Sequence, residues 1–357
     1  MGDFINELHA LKGRRILVTG STGFKGSWLS LWLSRMGARV SGFALEPDTE
    51  PSLYVKARIG ERVESMIGDI RDPDLVTEAV TGFAPEIVFH LAAQPLVRRG
   101  YAEPLRTFGT NVMGTANLLE AVRRAGSVKA VVVVTSDKCY REDSSTFGYR
   151  ETDPLGGHDP YSASKAAAEL ATNAWRASFG NCPGAALVAT ARAGNVIGGG
   201  DWASDRLIPD LWRAARSKRP ALIRNPSAVR PWQHVLEPLS GYLLLGERLL
   251  GGHAEAADAW NFGPALADME SVEQLCQLMC PRLGVEWRYD GSPQPREAAM
   301  LRLDSSKAML RLGWRPRFSL EEAIELTGDW YARFDAGEDP HELCIERIAR
   351  FEQCRNR

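Results

Sequence analysis

Apolar positions follow two alternating rhythms through the first half of the chain. Short β-branched runs predict strands, and stretches with a 3.6-residue repeat predict helices between them. Arg15 to Thr19 is such a run and ends at Gly20. Lys25 to Met36 predicts a helix with Trp28, Leu29, Leu31, Trp32 and Leu33 on one broad face. Strands are expected over Arg39 to Leu45, more weakly over Arg62 to Ile67, and again over Glu86 to Leu91. Asp72 as N-cap and Pro73 at the first helical position start a helix running to Val80. A long helix over Thr107 to Ala125, a strand over Ala130 to Thr135, an alanine-rich helix over Tyr161 to Phe179 and a strand over Ala185 to Arg192 complete the series. Continuous apolar strands separated by helices predict an α/β fold with a doubly wound, Rossmann-type parallel sheet covered on both faces. Ligands of such a sheet bind at the carboxyl ends of its strands.

After Arg192 the texture changes. Gly198-Gly199-Gly200, several prolines and many tryptophans predict loops and short elements around a pocket. The expected division is a cofactor-binding domain of residues 1–194 plus about 235–262. A smaller C-terminal substrate-binding domain takes about 195–234 plus 263–357.

Composition narrows the field. The 357 residues are 44% hydrophobic and 25% charged, with a formal net charge of −2, which gives no reason to expect nucleic acid or an anionic membrane as partner. No apolar stretch reaches bilayer length, and Met1 to Arg14 has no signal-peptide core. The six cysteines lack disulfide-framework or zinc spacing, so reduced thiols, no metal and a cytoplasmic setting are expected.

Gly20-Ser21-Thr22-Gly23-Phe24-Lys25-Gly26 joins the first strand to the first helix. Gly20 suits a tight turn, Gly23 lets backbone amides approach a pyrophosphate, and Gly26 lets helix and strand pack closely. In this strand–turn–helix context the pattern predicts dinucleotide binding. The second strand ends Phe43-Ala44-Leu45-Glu46, where Glu46 is late for a ribose clamp and no arginine follows to receive a 2′-phosphate. NAD is preferred over NADP, and Asp69-Ile70 is the expected adenine contact.

Two further segments carry chemistry. Tyr161 and Lys165 lie four apart on one predicted helix face, where an ammonium and a positive nicotinamide would draw the phenol pKa down. Thr135-Ser136-Asp137-Lys138-Cys139-Tyr140 follows the fifth strand, and its acid and amine could remove water from a sugar.

Together with His90-Leu91-Ala92-Ala93-Gln94 and Asn111, in this order, these segments resemble the extended short-chain dehydrogenase/reductase family. Longer stretches resemble its nucleotide-sugar 4,6-dehydratases, in particular those acting on CDP-D-glucose. They are Gly23 to Leu29, His90 to Arg98, Thr135 to Tyr140, Ala191 to Trp202, Arg230 to Pro238 and Leu303 to Ala308, and the likeness covers roughly residues 12 to 335.

The resemblance implies NAD held by Gly20, Thr22, Gly23, Phe24, Lys25, Gly26, Asp69, Ile70, Leu91, Ala92, Ala93, Gln94, Tyr161 and Lys165. It implies Tyr161 as base for the 4-hydroxyl, Ser136 on the 4-oxygen, Asp137 as acid for the leaving 6-hydroxyl and Lys138 at C5. Substrate would be held by Gln94, Ser136, Asn195, Arg206 and Arg230, with Trp202 and Trp232 as pocket candidates. At Arg296 the sequence departs from the family, which has histidine there, so Arg296 receives no role. A homodimer joined through the Tyr161 helix and the long helix before it is also implied, as is a product that feeds deoxysugars of bacterial surface polysaccharide. A 4-epimerase shares the loop and the Tyr161/Lys165 pair but has no use for Asp137 and Lys138. A dehydratase of another sugar nucleotide, or a regulator that kept the fold, remains the alternative reading.

Overall fold

The computed structural model describes residues 9–142, 147–265, 269–292 and 300–354. Arg296 lies outside them. Seven parallel strands form the central sheet: β1 (Arg15–Thr19), β2 (Arg39–Ala44), β3 (Glu64–Ile67), β4 (Ile87–His90), β5 (Ala130–Val134), β6 (Leu187–Ala193) and β7 (Ala259–Phe262). Their order is β7-β6-β5-β4-β1-β2-β3. The order reverses between β1 and β4, which opens a crevice beyond their carboxyl ends. The expected doubly wound sheet is present. β4 and β5 are buried at every position, as their unbroken apolar sequences require.

The helices used below are α1 (Phe24–Arg35), α2 (Pro73–Phe83), α3 (Gly114–Ala125), α4 (Pro160–Phe179), α5 (Leu207–Arg216), α6 (Leu236–Leu250), α7 (Val272–Leu283), α8 (Leu320–Asp335) and α9 (Pro340–Gln353). Asp72 caps α2, accepting hydrogen bonds from the Asp74 and Leu75 amides, with Pro73 at the first position as the sequence predicts. α4 begins one residue early, at Pro160, because Asp159 accepts from the Ser162 amide at 3.0 Å and the Ser162 hydroxyl at 2.5 Å. α1 is buried from Gly26 through Leu33 rather than on one face. It is sandwiched between the sheet and α9, where Trp32 Nε1 donates to Glu352 Oε1 at 2.9 Å.

The long helix expected over Thr107 to Ala125 is not regular. A helix over Pro104–Phe108 passes through a π-helical turn at Gly109–Met113 before α3 begins. The wide turn brings Asn111 inward, where Nδ2 donates to the Gln94 carbonyl at 3.1 Å and to Ser164 Oγ at 2.8 Å. Tertiary bonds set the irregularity, so periodicity alone could not show it.

α6 lies across β4, β5 and β6, and β7 pairs with β6 at the sheet edge. Side chains of α7, α8 and α9 continue the core that begins under the sheet, with Met279, Trp330, Tyr331 and Phe351 all buried. The glycine triplet serves this packing: the Trp330 ring occupies the space a Cβ on Gly199 would take. Among the described residues, no helix is long and apolar enough to cross a membrane.

Candidate functional site

The carboxyl ends of β1, β4 and β5 open into one cavity of about 530 Å³. That is the usual size of a small-molecule site. Its wall contains every cofactor, substrate and catalytic candidate of the sequence, from Gly20 to Arg230.

Backbone contact shapes the cofactor side. Gly20 has φ +73°, and a Cβ there would stand 2.7 Å from the Ala92 amide nitrogen. Gly26 presses on the Gly20 carbonyl so closely that any side chain would overlap it. α1 starts at Gly23 without a side-chain cap, so its first amides remain available to an anion. Thr22 ties this loop to the end of β2, donating to the Leu45 carbonyl at 2.8 Å. Asp69 pairs with Arg71 at 2.6 Å, a guanidinium that holds its carboxyl below the usual range.

A buried hydrogen-bond chain fixes the neighbouring strand end. Thr115 gives its one hydroxyl hydrogen to the Asn111 carbonyl, so it accepts from His90 Nε2 at 3.1 Å. His90 Nδ1 then accepts from Thr19 at 2.7 Å, and Thr19 Oγ1 accepts from the Ala92 amide at 3.2 Å. Burial pushes the imidazole pKa down to about 3, which keeps it neutral. Gln94 is committed elsewhere: both hydrogens of its amide go to the Leu96 carbonyl and Thr107 Oγ1. Its Oε1 accepts from the Leu96 amide at 2.7 Å and keeps a second lone pair for the expected sugar contact.

Ser136, Asp137, Tyr161 and Lys165 converge below. Ser136 Oγ donates to Asp137 Oδ1 at 3.0 Å, and it is also hydrogen-bonded to Tyr161. Asp137 Oδ2 is buried with no hydrogen-bond partner among the described residues. Lys165 Nζ donates to the Val134 carbonyl at 3.3 Å, and burial draws its pKa down to about 8 against the pull of Glu169.

The electrostatics correct one expectation. Tyr161 is pushed up to about 12, not down: burial dominates and the Asp137 charge adds to it, while Ser136 and Arg206 only partly offset them. In this state, then, Tyr161 is a phenol at neutral pH.

Beneath the cluster is a charge network that sequence reasoning missed. Glu169 accepts from Thr135 at 2.5 Å, Thr190 at 2.7 Å and Arg192 at 2.8 Å. Burial opposes its charge, but these partners outweigh burial and hold the carboxyl below its usual range. Arg192 also donates to Tyr140 Oη at 2.8 Å, and Tyr140 in turn donates to Asn261 on β7 at 2.7 Å. A charge four residues after Lys165, and another inside an apolar strand, were the available signals.

Lys25, which the sequence assigns to the cofactor loop, is half-buried on the cavity wall, and its ammonium donates to Tyr242 Oη on α6 at 3.4 Å. On the substrate side, Arg206 pairs with Asp201 at 3.0 Å, leaving further guanidinium donors, and Arg230 is buried on a short strand paired with Glu270–Ser271. Asn195 lines the cavity. Trp202 and Trp232 line it too and are both buried, Trp202 against Trp212, Trp330 and Phe334.

Residues 17–327 match the family model described as GDP-mannose 4,6 dehydratase. The chain is 51% identical over 335 residues to the CDP-glucose 4,6-dehydratase of Salmonella typhimurium, covering 92% of this chain and 93% of that protein. Among solved structures, UDP-glucose 4-epimerase from Thermotoga maritima with UDP-glucose superposes with TM-score 0.78 at 26% identity, covering 90% of this chain and 99% of that one. A dTDP-glucose 4,6-dehydratase from Streptomyces venezuelae with NAD and TYD bound gives TM-score 0.76 at 26% identity, covering 92% and 99%.

Proposed function

The chain belongs to the GDP-mannose 4,6 dehydratase family, and from that premise we propose that it removes water from CDP-D-glucose to give CDP-4-keto-6-deoxy-D-glucose. The 51% identity carries the choice of CDP-D-glucose. The observation that carries elimination over epimerisation is Asp137: a buried carboxyl in the cavity, bonded to Ser136 through one oxygen and unpartnered at the other.

The residues fit NAD. Gly20 and Gly26 leave a cradle that side chains would fill, and the uncapped start of α1 faces it. NAD held there would supply the hydride acceptor for C4, the hydride donor for C6 and, when oxidised, a positive charge. Tyr161 accepts the 4-hydroxyl proton once its phenol is ionised, and Ser136 hydrogen-bonds the 4-oxygen. Lys165 positions the nicotinamide ribose. The 4-ketone acidifies the hydrogen on C5. Asp137 delivers its proton to the 6-hydroxyl, which leaves as water; a positioned acid is worth roughly 10²–10⁴-fold. Lys138 acts at C5, as base or as the cation facing the enolate. A Lys138→Met variant that exchanged C5 hydrogen with solvent at the normal rate would overturn both versions. Arg230, Arg206 and Asn195 hold the diphosphate and sugar.

We further propose a cytoplasmic homodimer joined through α4 and the helical stretch that ends in α3. The exposed Leu105, Met113 and Leu170 on these elements support it. Leu170→Glu should convert a dimer to monomer by light scattering; an unchanged mass would exclude this face.

The test of function offers CDP-, UDP- and dTDP-glucose in turn without added reductant. The expected outcome is 4-keto-6-deoxy product from CDP-glucose, with C4 deuterium recovered at C6. Deuterium retained at C4 in a galactose-type product would instead mean an epimerase.

A further inference from the structure

The proposed reaction leaves a proton in the wrong place. Tyr161 ends each turnover carrying the proton of the 4-hydroxyl. Asp137 ends it without the proton that left in water. The proton taken from C5 returns to C5 and does not enter the sum. One proton must therefore travel from Tyr161 to Asp137 before the next cycle, and no oxidant or other reactant is needed.

We propose that Lys25 carries this proton, its amine recharging Asp137 after each elimination and being recharged from Tyr161 through the Tyr242 hydroxyl. The proposal rests on the dehydratase reading above. Lys25 stands half-buried on the first turn of α1 and lines the cavity. Its ammonium donates to Tyr242 Oη at 3.4 Å, and Tyr242 is completely buried on α6. The unpartnered Asp137 Oδ2 is a receiver for the proton.

The groups facing Lys25 come from four other elements. They are Arg206 at the start of α5, Asp137 after β5, Lys165 on α4 and Tyr242 on α6. Burial, Arg206 and Lys165 lower its pKa to about 7, with Asp137 opposing them, so the amine both gains and loses a proton near neutrality. Tyr242 is raised by burial and then by the nearby Tyr161, which keeps it a neutral hydroxyl able to pass a proton on. Ser136 also touches Tyr161 and Asp137, but a serine cannot store a proton, and its hydroxyl is engaged with the 4-oxygen while the sugar is bound. Lys25 acts through Asp137 and is a positioning residue rather than a catalytic one.

Rapid-quench kinetics on the NAD-loaded enzyme test this, using whichever sugar nucleotide the wild type turns over. In Tyr242→Phe, and in Lys25→Met and Lys25→Arg at saturating NAD, the first turnover should be slowed far less than those that follow it. A burst of about one product per site should follow, and then a steady state slowed by roughly 10²-fold. The ionisation near pH 7 should vanish from the steady-state profile of both Lys25 variants. NAD titration and circular dichroism report whether loop and fold survive. Unchanged steady-state turnover would overturn the proposal and leave the reset to Ser136 or solvent. Equal slowing of first and later turnovers would also overturn it, as would weaker NAD binding with unchanged kcat, which makes Lys25 a packing residue of the loop. A wild type inactive on all three sugar nucleotides would instead refute the dehydratase reading itself.

Discussion

Two layers of the site treat buried charge in opposite ways. Behind the strand ends, Glu169 spends both oxygens on Thr135, Thr190 and Arg192, and its charge is fully answered. In front, Asp137 Oδ2 has no hydrogen-bond partner among the described residues, and Lys25 and Lys165 have lost much of their hold on a proton to burial. The back layer fixes where groups stand, because a satisfied polar network in a low-dielectric interior has one good arrangement. The front layer stays unsatisfied because its partners are ligand atoms and moving protons. The first layer supplies position and the second supplies reactivity.

Substitutions in the front layer should give the largest effects and leave the fold alone. Tyr161→Phe and Asp137→Asn should each lower kcat by roughly 10²–10⁴-fold, with unfolding temperatures near wild type. They should differ in solvent exchange: Asp137→Asn still oxidises C4 and exchanges C5 hydrogen with deuterated water, whereas Tyr161→Phe does neither. Loss of exchange in both would break the assignment of separate steps.

The back layer should behave in the reverse manner. Glu169→Gln leaves Arg192 charged and buried without its counter-ion, which costs about 3–5 kcal/mol of stability, read by denaturant or calorimetric unfolding. The same variant sharpens the link between layers. Glu169 pulls the Lys165 pKa upward against burial. Without that carboxylate the value falls below about 8, and the alkaline limb of kcat moves to lower pH. A limb that stays in place would separate the two layers electrostatically.

Gly26→Ala gives the smallest effect. Its methyl meets the Gly20 carbonyl, and the displaced loop should weaken NAD binding by about 1–3 kcal/mol in a calorimetric titration. Wild-type affinity would show that the close approach serves packing alone.

The sequence makes the front layer visible and hides the back one. Ser136, Asp137, Tyr161 and Lys165 sit in short segments at strand and helix ends, where polar residues interrupt apolar runs. Glu169 and Arg192 lie inside regular elements, and only tertiary structure shows that they meet. β1 matches its expected bounds and β2 ends one residue short, because β-branched apolar runs demand burial wherever they fall. The turn at Gly109–Met113 is hidden for the opposite reason, since Gln94 and Ser164 impose it from a distance. The Tyr161 pKa escaped too: spacing puts an ammonium nearby but says nothing of how deeply the phenol is buried.

The chain from Ala92 through Thr19, His90 and Thr115 to Asn111 has a consequence for where this protein can work. Histidine is the side chain most prone to change charge between pH 5 and 8, yet at about 3 this one sits far outside that window. Donors and acceptors along the chain therefore keep their directions as a cell acidifies. This scaffold has no histidine charge to gain or lose near neutrality, and Lys25 and Lys165, at about 7 and about 8, are the cavity groups placed to respond there.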